Sequence, residues 1–313
     1  MNKKEAILRI QSRLIGSASE YLRRIGFKEI LPPIIAKNTD PGLRGGRIAT
    51  VDFYGDSYCL SSSINIQKFE AIKYLNNIFA ISQVVRIEDP DTIDTGRHLS
   101  EFSIIEVEAA NKTLTEIIDI GEDLIGHIIT AIIKECSDEL QHLQRDLKPV
   151  VGSFPRFRHI EVVELLRNMG LEVDEKKDIP LKSEEEFSKM QDGFVWITSY
   201  PNGSRGFYDR MNPDNKDYLL DFDLIMPEGY GEVISGGERE FTREGIERQM
   251  QITGIDPKEY ESFLELYDDG SMLPSAGFGI GVERLTRYIC GLDHISEASL
   301  FPKIPGGNTK DKS

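Results

Sequence analysis

The chain has 313 residues and a formal net charge of −16 at pH 7. This length gives room for a sizeable hydrophobic core, and no run of about 18 apolar residues predicts a membrane span. The negative balance disfavours a protein that depends on contacts with a phosphate backbone, since such proteins usually carry a basic face.

Three cysteines, Cys59, Cys136 and Cys290, lie far apart in the sequence. Their odd number and wide spacing favour free buried thiols in a reducing compartment over a disulfide framework or a zinc site. The N-terminus lacks the apolar segment of a signal peptide. We therefore expect a cytoplasmic protein.

The N-terminal part alternates helical and extended patterns. An apolar stripe predicts a helix over residues 4–25, and Gly26 ends it. Residues 27–35 read as a strand with a proline break, which suits a sheet edge or an interface. Residues 37–48 are expected to form a mobile loop, and residues 64–80 a helix.

The remaining pattern predicts an α+β domain built around an antiparallel β-sheet that is flanked by helices. Residues 113–148 contain a long predicted helix, and a charged, weakly patterned insert covers 153–192. We expect residues 1–305 to form one domain and 306–313 a flexible tail. The predicted strands cover 81–88, 102–110, 194–200, 217–226 and 231–235.

A glycine-rich strand over 275–281 precedes a helix that is expected to begin near Gly281. Gly277, Gly279 and Gly281 share one face of this strand, which leaves bare backbone against which a flat ligand could lie. Arg284 then falls in the first helical turn, where a guanidinium can bind a phosphate through two hydrogen bonds. The alternative is that these glycines only allow close packing.

Two further strands place polar side chains on a common face. Period-two alternation puts Arg86 beside Glu88 on one strand, and Phe102, Glu106 and Glu108 together on the other. Paired as a hairpin, the strands would present an arginine, an aromatic ring and carboxylates to one cavity. The alternative is an ordinary solvated sheet face.

The segment 221–239 adds oxygen ligands and another cation. Asp223, Glu232 and the Ser235 hydroxyl are donors of the kind that Mg²⁺ takes, usually with phosphate and water, and Arg239 can bind a carboxylate or a phosphate. The chain has no Gly-x-x-x-x-Gly-Lys-Ser/Thr phosphate loop. Together these features suit a nucleotide triphosphate held on a sheet beside carboxylates of the kind that bind Mg²⁺.

These segments resemble the three motifs of class II aminoacyl-tRNA synthetases. Residues 26–33 resemble motif 1, residues 86–102 motif 2 and residues 277–285 motif 3. The resemblance covers about residues 5–305 and is strongest to the aspartyl and asparaginyl group, in particular to its truncated branch of archaeal-type asparagine synthetases, on residues 207–210 and 230–240. It implies a class II catalytic fold and a homodimer that meets around Pro33.

The resemblance also implies roles for individual residues. Arg86 would hold the α-phosphate, Phe102 would stack on adenine, Arg284 would stack on its other face and reach the γ-phosphate, and His98 would lie near the β- and γ-phosphates. Arg86, Arg284 and Glu232 would be catalytic. The implied ATP site comprises Arg86, Glu88, Arg97, His98, Phe102, Gly279, Gly281 and Arg284. The implied metal ligands are Glu232 and Ser235, with Asp223.

For the amino acid, the resemblance implies that Glu106 holds the amino group and Arg239 a carboxylate, with Ser62 also in the substrate site. Lys68 falls where aspartyl enzymes carry a lysine for the side-chain carboxylate, so its charge would favour aspartate over asparagine. The alternative is a surface lysine on a helix. Residues 61–67 depart from the aspartyl pattern, which leaves the contacts around Lys68 open.

Two observations separate this chain from full-length synthetases of the group. Motif 1 begins within the first 30 residues, so we expect no N-terminal anticodon-binding barrel. The motif 2 loop contains Asp89, Asp91 and Asp94 and no cation, which would repel tRNA. The sequence thus favours an asparagine synthetase that uses ATP, aspartate and ammonia. A ligase for another amino acid or amine, and a non-catalytic or tRNA-linked paralogue, remain as alternatives.

Overall fold

The computed structural model describes residues 1–43, 45–150 and 152–306, and the predicted tail over 307–313 lies outside them. The described helices are α1 (Lys3–Arg24), α2 (Asn65–Ala71), α3 (Leu114–Glu135), α4 (Ser137–His142), α5 (His159–Asn168), α6 (Leu181–Lys189), α7 (Arg243–Thr253), α8 (Glu261–Leu264) and α9 (Val282–Cys290). Short 3₁₀ turns include Pro90–Thr95.

The strands fall into one large sheet and one small sheet. They are β1 (Lys28–Glu29), β2 (Ile35–Ala36), β3 (Arg47–Ile48), β4 (Thr50–Phe53), β5 (Asp56–Leu60), β6 (Asn77–Ile87), β7 (Glu101–Ala110), β8 (Arg156–Arg158), β9 (Val195–Thr198), β10 (Asp221–Met226), β11 (Gly231–Glu238) and β12 (Ser275–Gly281). The large sheet runs β1-β6-β7-β12-β11-β10-β9-β8, with β3 beside β6, and the small sheet runs β2-β5-β4.

The large sheet is mostly antiparallel, as the sequence predicts. From β6 to β9 every neighbouring pair is antiparallel, while β1 and β8 join the two edges in parallel. Its core face carries a row of apolar side chains from successive strands, with Phe79 opposite Val107 and Val107 opposite Phe278. All three are buried under the helices, so the opposite face is free to form a site.

Two long helices cover the core face. Asn2 caps α1 by accepting a hydrogen bond from the Glu5 N–H at 2.8 Å. Thr113 and Glu116 form a capping box at the start of α3. Most isoleucines of α3, including Ile125 and Ile129, are fully buried against this core. Within the described residues, no helix has both the length and the apolar character needed to cross a bilayer.

Several predicted boundaries are corrected. The helix predicted over 64–80 ends at Ala71, and the chain is already in strand β6 from Asn77. The predicted strand over 27–35 forms only the two-residue strand β1 before the proline break. The insert over 153–192, for which the sequence predicts no element, folds into β8, α5 and α6. Its apolar side chains share one cluster with Val195, Ile197 and Ile225 of β9 and β10.

The three cysteines are free, as expected. Cys136 and Cys290 are buried, whereas Cys59 is only half-buried. Burial raises the pKa of each thiol, most strongly that of Cys290, to about 12. A neutral thiol is a poor nucleophile, so the cysteines are not candidates for covalent catalysis.

Candidate active site

A cavity of about 520 Å³ lies on the sheet face opposite the helical core. One end is rich in arginine and the other in carboxylates. Its walls also include residues 177–181 of the insert and residues 204–205, which the sequence did not single out. The predicted site residues that line it are Arg86, Glu88, Arg97, His98, Phe102, Glu106, Glu232, Ser235, Arg239, Gly279, Gly281 and Arg284.

The glycine strand combines close strand packing at one glycine with exposure to the cavity at the other two. A Cβ on Gly277 would lie 2.0 Å from Glu108 Oε2 and 2.3 Å from the Val107 carbonyl, so Gly277 permits close strand packing. Gly279 and Gly281 instead line the cavity. A Cβ on Gly281 would meet only the Arg284 side chain, at 3.4 Å. A Cβ on Gly279 would fall 2.9 Å from Ile104 Cγ2, so of the two glycines that line the cavity Gly281 has the more open surroundings.

Arg86 is fixed at the floor of the arginine-rich end. Its Nε donates to the Ser62 carbonyl at 2.9 Å, and its guanidinium lies 5.2 Å from the centroid of the Phe102 ring. Burial raises the pKa of the neighbouring Glu88, and the charges of Arg86 and Arg284 oppose that shift. The expected pairing of motif 2 side chains in one cavity is thus present, and the alternative of a solvated sheet face is excluded for these residues.

Arg284 projects from the first turn of α9 toward Glu232 on β11. Its Nη1 donates to Glu232 Oε1 at 3.1 Å and to the Glu232 carbonyl at 3.4 Å. A guanidinium held in this way stays aimed at the cavity without a ligand. The geometry places a cation and a carboxylate side by side where a polyphosphate would need both a positive partner and a metal ligand.

Glu184, which the sequence analysis missed, links the insert to this end of the cavity. Its Oε1 accepts from Arg97 Nη1 at 2.6 Å and from the Glu232 backbone N–H at 2.8 Å. A Cβ on Gly231 would fall 2.3 Å from Arg97 Nη1, so glycine is required where that arginine passes. Helix α6 also holds the turn after β10, because Ser188 Oγ accepts from the Gly229 and Gly231 N–H groups.

His98 stands among the cations as a neutral imidazole. Its Nδ1 lies 2.7 Å from Thr95 Oγ1. Burial, and then the charges of Arg284 and Arg97, lower the pKa of His98 to about 2. The ring can therefore hydrogen bond to a ligand at neutral pH but supplies no positive charge there.

The other end of the cavity is built on an alternating network of buried charges. Arg239 Nη1 donates to Asp209 at 2.7 Å, and its Nε and Nη2 lie 3.3 and 3.4 Å from Glu108. Nη2 also donates to the Gly277 carbonyl at 3.0 Å. Burial acts to raise the pKa of Glu108, but the charges of Arg239 and Lys68 outweigh it, and the net shift is downward.

Lys68 differs from both readings that the sequence allowed. It is not a surface lysine, because only 1% of its side chain is exposed. Nor does it lie on the cavity wall, since its Nζ is engaged by Glu106 at 3.0 Å and by Glu108 at 3.3 Å. The side chain that reaches the cavity is Glu106, and Lys68 supports it from behind.

Ser62 is also corrected from a substrate ligand to a structural residue. Its hydroxyl donates to the Asp40 carbonyl at 2.8 Å and lies 2.9 Å from Thr39 Oγ1. Its neighbour Ser63 lines the cavity instead. Ser63, Asn65 and Tyr208 all donate to Asp40 Oδ2, at 3.1, 3.0 and 2.9 Å.

The predicted metal ligands separate into two groups. Glu232 and Ser235 line the cavity and retain oxygen donors that suit Mg²⁺, which needs only one or two carboxylates when phosphate completes its shell. Asp223 is fully buried and lies 2.6 Å from Arg205 Nη2, away from the cavity wall. In the described parts of the chain, no three His, Cys, Asp or Glu side chains converge as a metal site. The donor set thus fits Mg²⁺ at Glu232 and Ser235 but not at Asp223.

The family model for tRNA synthetases class II (D, K and N) matches residues 1–305. The chain belongs to this family. The class II synthetase fold and the membership predicted from the three motifs are thereby confirmed, as is the expectation of an AMP-forming ligase.

Similar proteins of this synthetase family include asparaginyl enzymes. The asparagine–tRNA ligase of Pyrococcus abyssi is 32% identical over 306 residues, which cover 97% of this chain and 69% of that protein. The asparaginyl-tRNA synthetase of Pyrococcus horikoshii, solved with asparaginyl-adenylate, has 30% identity and a TM-score of 0.90 over 98% of this chain and 70% of that one. The asparaginyl-tRNA synthetase of Entamoeba histolytica shares the fold, with a TM-score of 0.86 at 22% identity.

The three motifs correspond to separate elements of the fold. Motif 2 forms the end of β6, the turn after it and the start of β7, and motif 3 forms most of β12 and the start of α9. Motif 1 follows α1 and contains β1. Leu31 within it and Ile34 just after it are largely exposed. Asp40, Arg205 and Asp209 were missed as site residues. Only Asp209 carried a signal, since it lies in the segment 207–210 that supported the resemblance.

Proposed function

We propose that this synthetase adenylates aspartate and transfers the aspartyl group to ammonia, giving asparagine, AMP and pyrophosphate. The observation that carries the proposal is the continuity of the cavity. An arginine-rich end with Arg86, Arg284 and neutral His98 opens directly into a carboxylate-rich end with Glu106 and Arg239. ATP and an amino acid can therefore meet in one enclosed space.

The first step would be attack of a substrate carboxylate oxygen on the α-phosphorus of ATP. An O–P bond forms, the bond to the β,γ-pyrophosphate breaks, and pyrophosphate leaves with the electron pair. Arg86, which contacts with Ser62 and Phe102 hold in position, would offset negative charge on the α-phosphate. Arg284 would offset negative charge on the leaving pyrophosphate. Mg²⁺ held by Glu232 and Ser235 would neutralise further phosphate charge when bound.

Glu106 and Arg239 support the binding of an amino acid. The Glu106 carboxylate can accept hydrogen bonds from the substrate amino group. Arg239 has five N–H donors, and four are used by Glu108, Asp209 and the Gly277 carbonyl. One remains, so Arg239 would give a single hydrogen bond to a substrate carboxylate rather than a bidentate clamp.

In the second step ammonia would attack the acyl carbon of the adenylate. The new C–N bond replaces the C–O bond to AMP, which leaves with the electron pair, and the nitrogen loses one proton. The loop between β6 and β7 supports a small acceptor, because Asp89, Asp91 and Asp94 carry negative charge and no cation lies among them. These charges and the net charge of −16 oppose the approach of a polyanion.

We further propose that residues 1–305 act as one catalytic unit and as a homodimer in the cytoplasm. The exposed apolar side chains of Leu31 and Ile34, 95% and 69% accessible on either side of Pro32-Pro33, support a dimer contact there. Light scattering of the wild type and of Leu31→Asp tests this, with a monomeric mass expected for the variant only.

A second candidate is ligation of asparagine or aspartate to tRNA, because the relatives at 30–32% identity are asparagine–tRNA ligases. One assay separates the two functions. The protein is incubated with ATP, Mg²⁺ and aspartate or asparagine, with ammonium chloride or with tRNA, while pyrophosphate and product mass are followed. Aspartate-dependent pyrophosphate release with formation of asparagine is expected. Esterified tRNA without asparagine would favour the second candidate.

A further inference from the structure

At the carboxylate-rich end of the cavity, four side chains differ in how fully they are hydrogen bonded, namely Asp40, Glu106, Asp209 and Asp221. Asp40 accepts from Gly42, Ser63, Asn65 and Tyr208. Glu106 accepts from the Ile64 N–H and from Lys68. The other two are Asp209 and Asp221. These last two carboxylates have fewer hydrogen-bond partners than the first two.

Asp221 is only 2% exposed, and its Oδ1 accepts from the Tyr200 N–H at 2.9 Å. Its Oδ2 receives no hydrogen bond from the described residues, and Arg205 Nε, at 3.7 Å, is too far to donate one. Asp209 is 6% exposed and is bound by Arg239 only through Oδ1. A buried acceptor without a donor is costly, so Asp221 favours a ligand that donates hydrogen bonds. Asp209 also lines the cavity, and its Oδ2 accepts no hydrogen bond from Arg239.

The nearby cations do not neutralise this end of the cavity. Arg239 is shared between Glu108 and Asp209, and Lys68 between Glu106 and Glu108. Arg205 is surrounded by Asp178, Asp221 and Asp223, at 3.6, 3.7 and 2.6 Å. Carboxylates thus outnumber cations, and a small additional cation would be attracted.

We propose that Asp209 and Asp221 bind the ammonium ion that supplies the amide nitrogen, and that Asp209 takes its proton. This inference rests on the proposed function, and it specifies where the second substrate binds before it reacts. An ammonium ion has four N–H donors and no side chain. It can therefore satisfy the open oxygens of both carboxylates within a space that is also bordered by Arg239 and Glu106.

The surroundings of Asp209 suit a base. Arg239, Asp40, Glu108, Asp221 and Tyr208 are the charged or titratable groups that face it. Burial raises the pKa of Asp209 to about 6, although the charge of Arg239 opposes that shift. A carboxylate with a pKa near the working pH is an effective proton acceptor.

The step balances without a further reactant. One N–H bond of ammonium breaks, and the proton passes to the Asp209 carboxylate. The freed lone pair attacks the acyl carbon of the aspartyl-adenylate, the C–O bond to AMP breaks, and AMP takes the electron pair. The second proton on nitrogen is released to solvent, and Asp209 returns its own proton to solvent before the next turnover.

The test compares two nucleophiles in Asp209→Asn, Asp221→Asn and the wild type. Ammonium must lose a proton before it attacks, whereas hydroxylamine is largely unprotonated at neutral pH. Asparagine and aspartyl hydroxamate are measured at pH 7.5 over a range of nucleophile concentrations. Asp217→Asn, which changes an exposed aspartate in a nearby turn, is the matched control.

For Asp209→Asn we expect kcat/KM with ammonium to fall about 100-fold more than kcat/KM with hydroxylamine, which is the usual range for loss of a general base. For Asp221→Asn the KM for ammonium should rise about tenfold more than that for hydroxylamine, since one hydrogen-bond acceptor for the ion is lost. Equal losses with both nucleophiles would overturn the ammonium site and indicate that these residues only position aspartate.

Pyrophosphate exchange without any nucleophile separates this result from a failure of the proposed function. Wild-type protein that exchanges pyrophosphate with aspartate but forms no asparagine would refute ammonia transfer, and the ammonium site with it. A different result would refute the ammonium site alone. In that case the wild type forms asparagine, and both variants discriminate between ammonium and hydroxylamine to the same degree as the wild type.

Discussion

Lys68 and Glu106 form an ion pair inside the protein, with Nζ 3.0 Å from Oε2 and no more than 2% of either side chain exposed. Glu108 shares the same Nζ at 3.3 Å. The lysine thus determines where Glu106 stands, although it does not reach the cavity itself. Its influence on the substrate would pass through that carboxylate.

Lys68→Met should lower the free energy of unfolding by about 3–5 kcal/mol, because removing one partner leaves a buried charge uncompensated. Chemical denaturation measures this loss. Lys73→Met, which removes a partly exposed pair with Asp269, should cost about 1 kcal/mol or less. Adding Glu106→Gln to Lys68→Met should restore part of the stability, and an additive double mutant would contradict the pairing.

Gly277→Ala should mainly lower stability, whereas Gly281→Ala should mainly weaken the binding of ATP. A methyl group at Gly277 would overlap Glu108 Oε2 and the Val107 carbonyl, so the first variant should be destabilised by several kcal/mol or fail to fold. The methyl group at Gly281 meets only Arg284, at 3.4 Å. The second variant should therefore keep its melting temperature within a few degrees while its KM for ATP rises. Equal stability of the two variants would disprove this division.

Arg284→Ala should reduce pyrophosphate exchange by at least about 100-fold, since one preorganised charge contact to the leaving group is lost. The melting temperature should change little because the residue is partly exposed at the cavity. Arg248→Ala, which removes an exposed pair with Glu244 on α7, serves as the control. Turnover of Arg284→Ala comparable to the control would contradict its assigned role.

Asp209 should make stability depend on pH in a predictable direction. Its pKa is raised from 3.8 to about 6 in the folded protein, so between these values the folded state binds more protons than the unfolded state. Stability from this residue is therefore greatest below about pH 4 and falls as pH rises through about 6. Relative to the wild type, Asp209→Asn should gain up to about 3 kcal/mol over this range. A pH-independent difference in denaturation would contradict the shift.

The sequence predicted the parts of the fold whose pattern is local and strong. The stripe of α1, the two central strands and the glycine strand were placed within a few residues. The failure at 64–80 has a physical reason. Apolar residues around Ile72 and Ile78 fit either period, and the pairing of β6 with β7 and β1, which lies outside any local window, decides in favour of a strand.

The candidate site was predictable where one motif carries several functional residues, as with Arg86 and Phe102 or Gly281 and Arg284. It was not predictable where a single charged residue gains its role from a distant partner. Glu184 is 87 residues from Arg97, and the local sequence around it reads as an ordinary charged helix. Lys68 was singled out from the sequence as a contact to the substrate, whereas its burial behind Glu106 depends on three-dimensional packing.

The contact between the insert and the arginine-rich end constrains how this family can vary. Glu184 Oε1 serves Arg97 and the backbone of Glu232 at once, and Gly231 leaves the space through which that arginine passes. A chimera that takes residues 153–192 from a relative must therefore supply a residue at position 184 that matches Arg97 and Gly231 of this chain. The insert is therefore not expected to be exchangeable as a module that is independent of the arginine-rich end of the cavity.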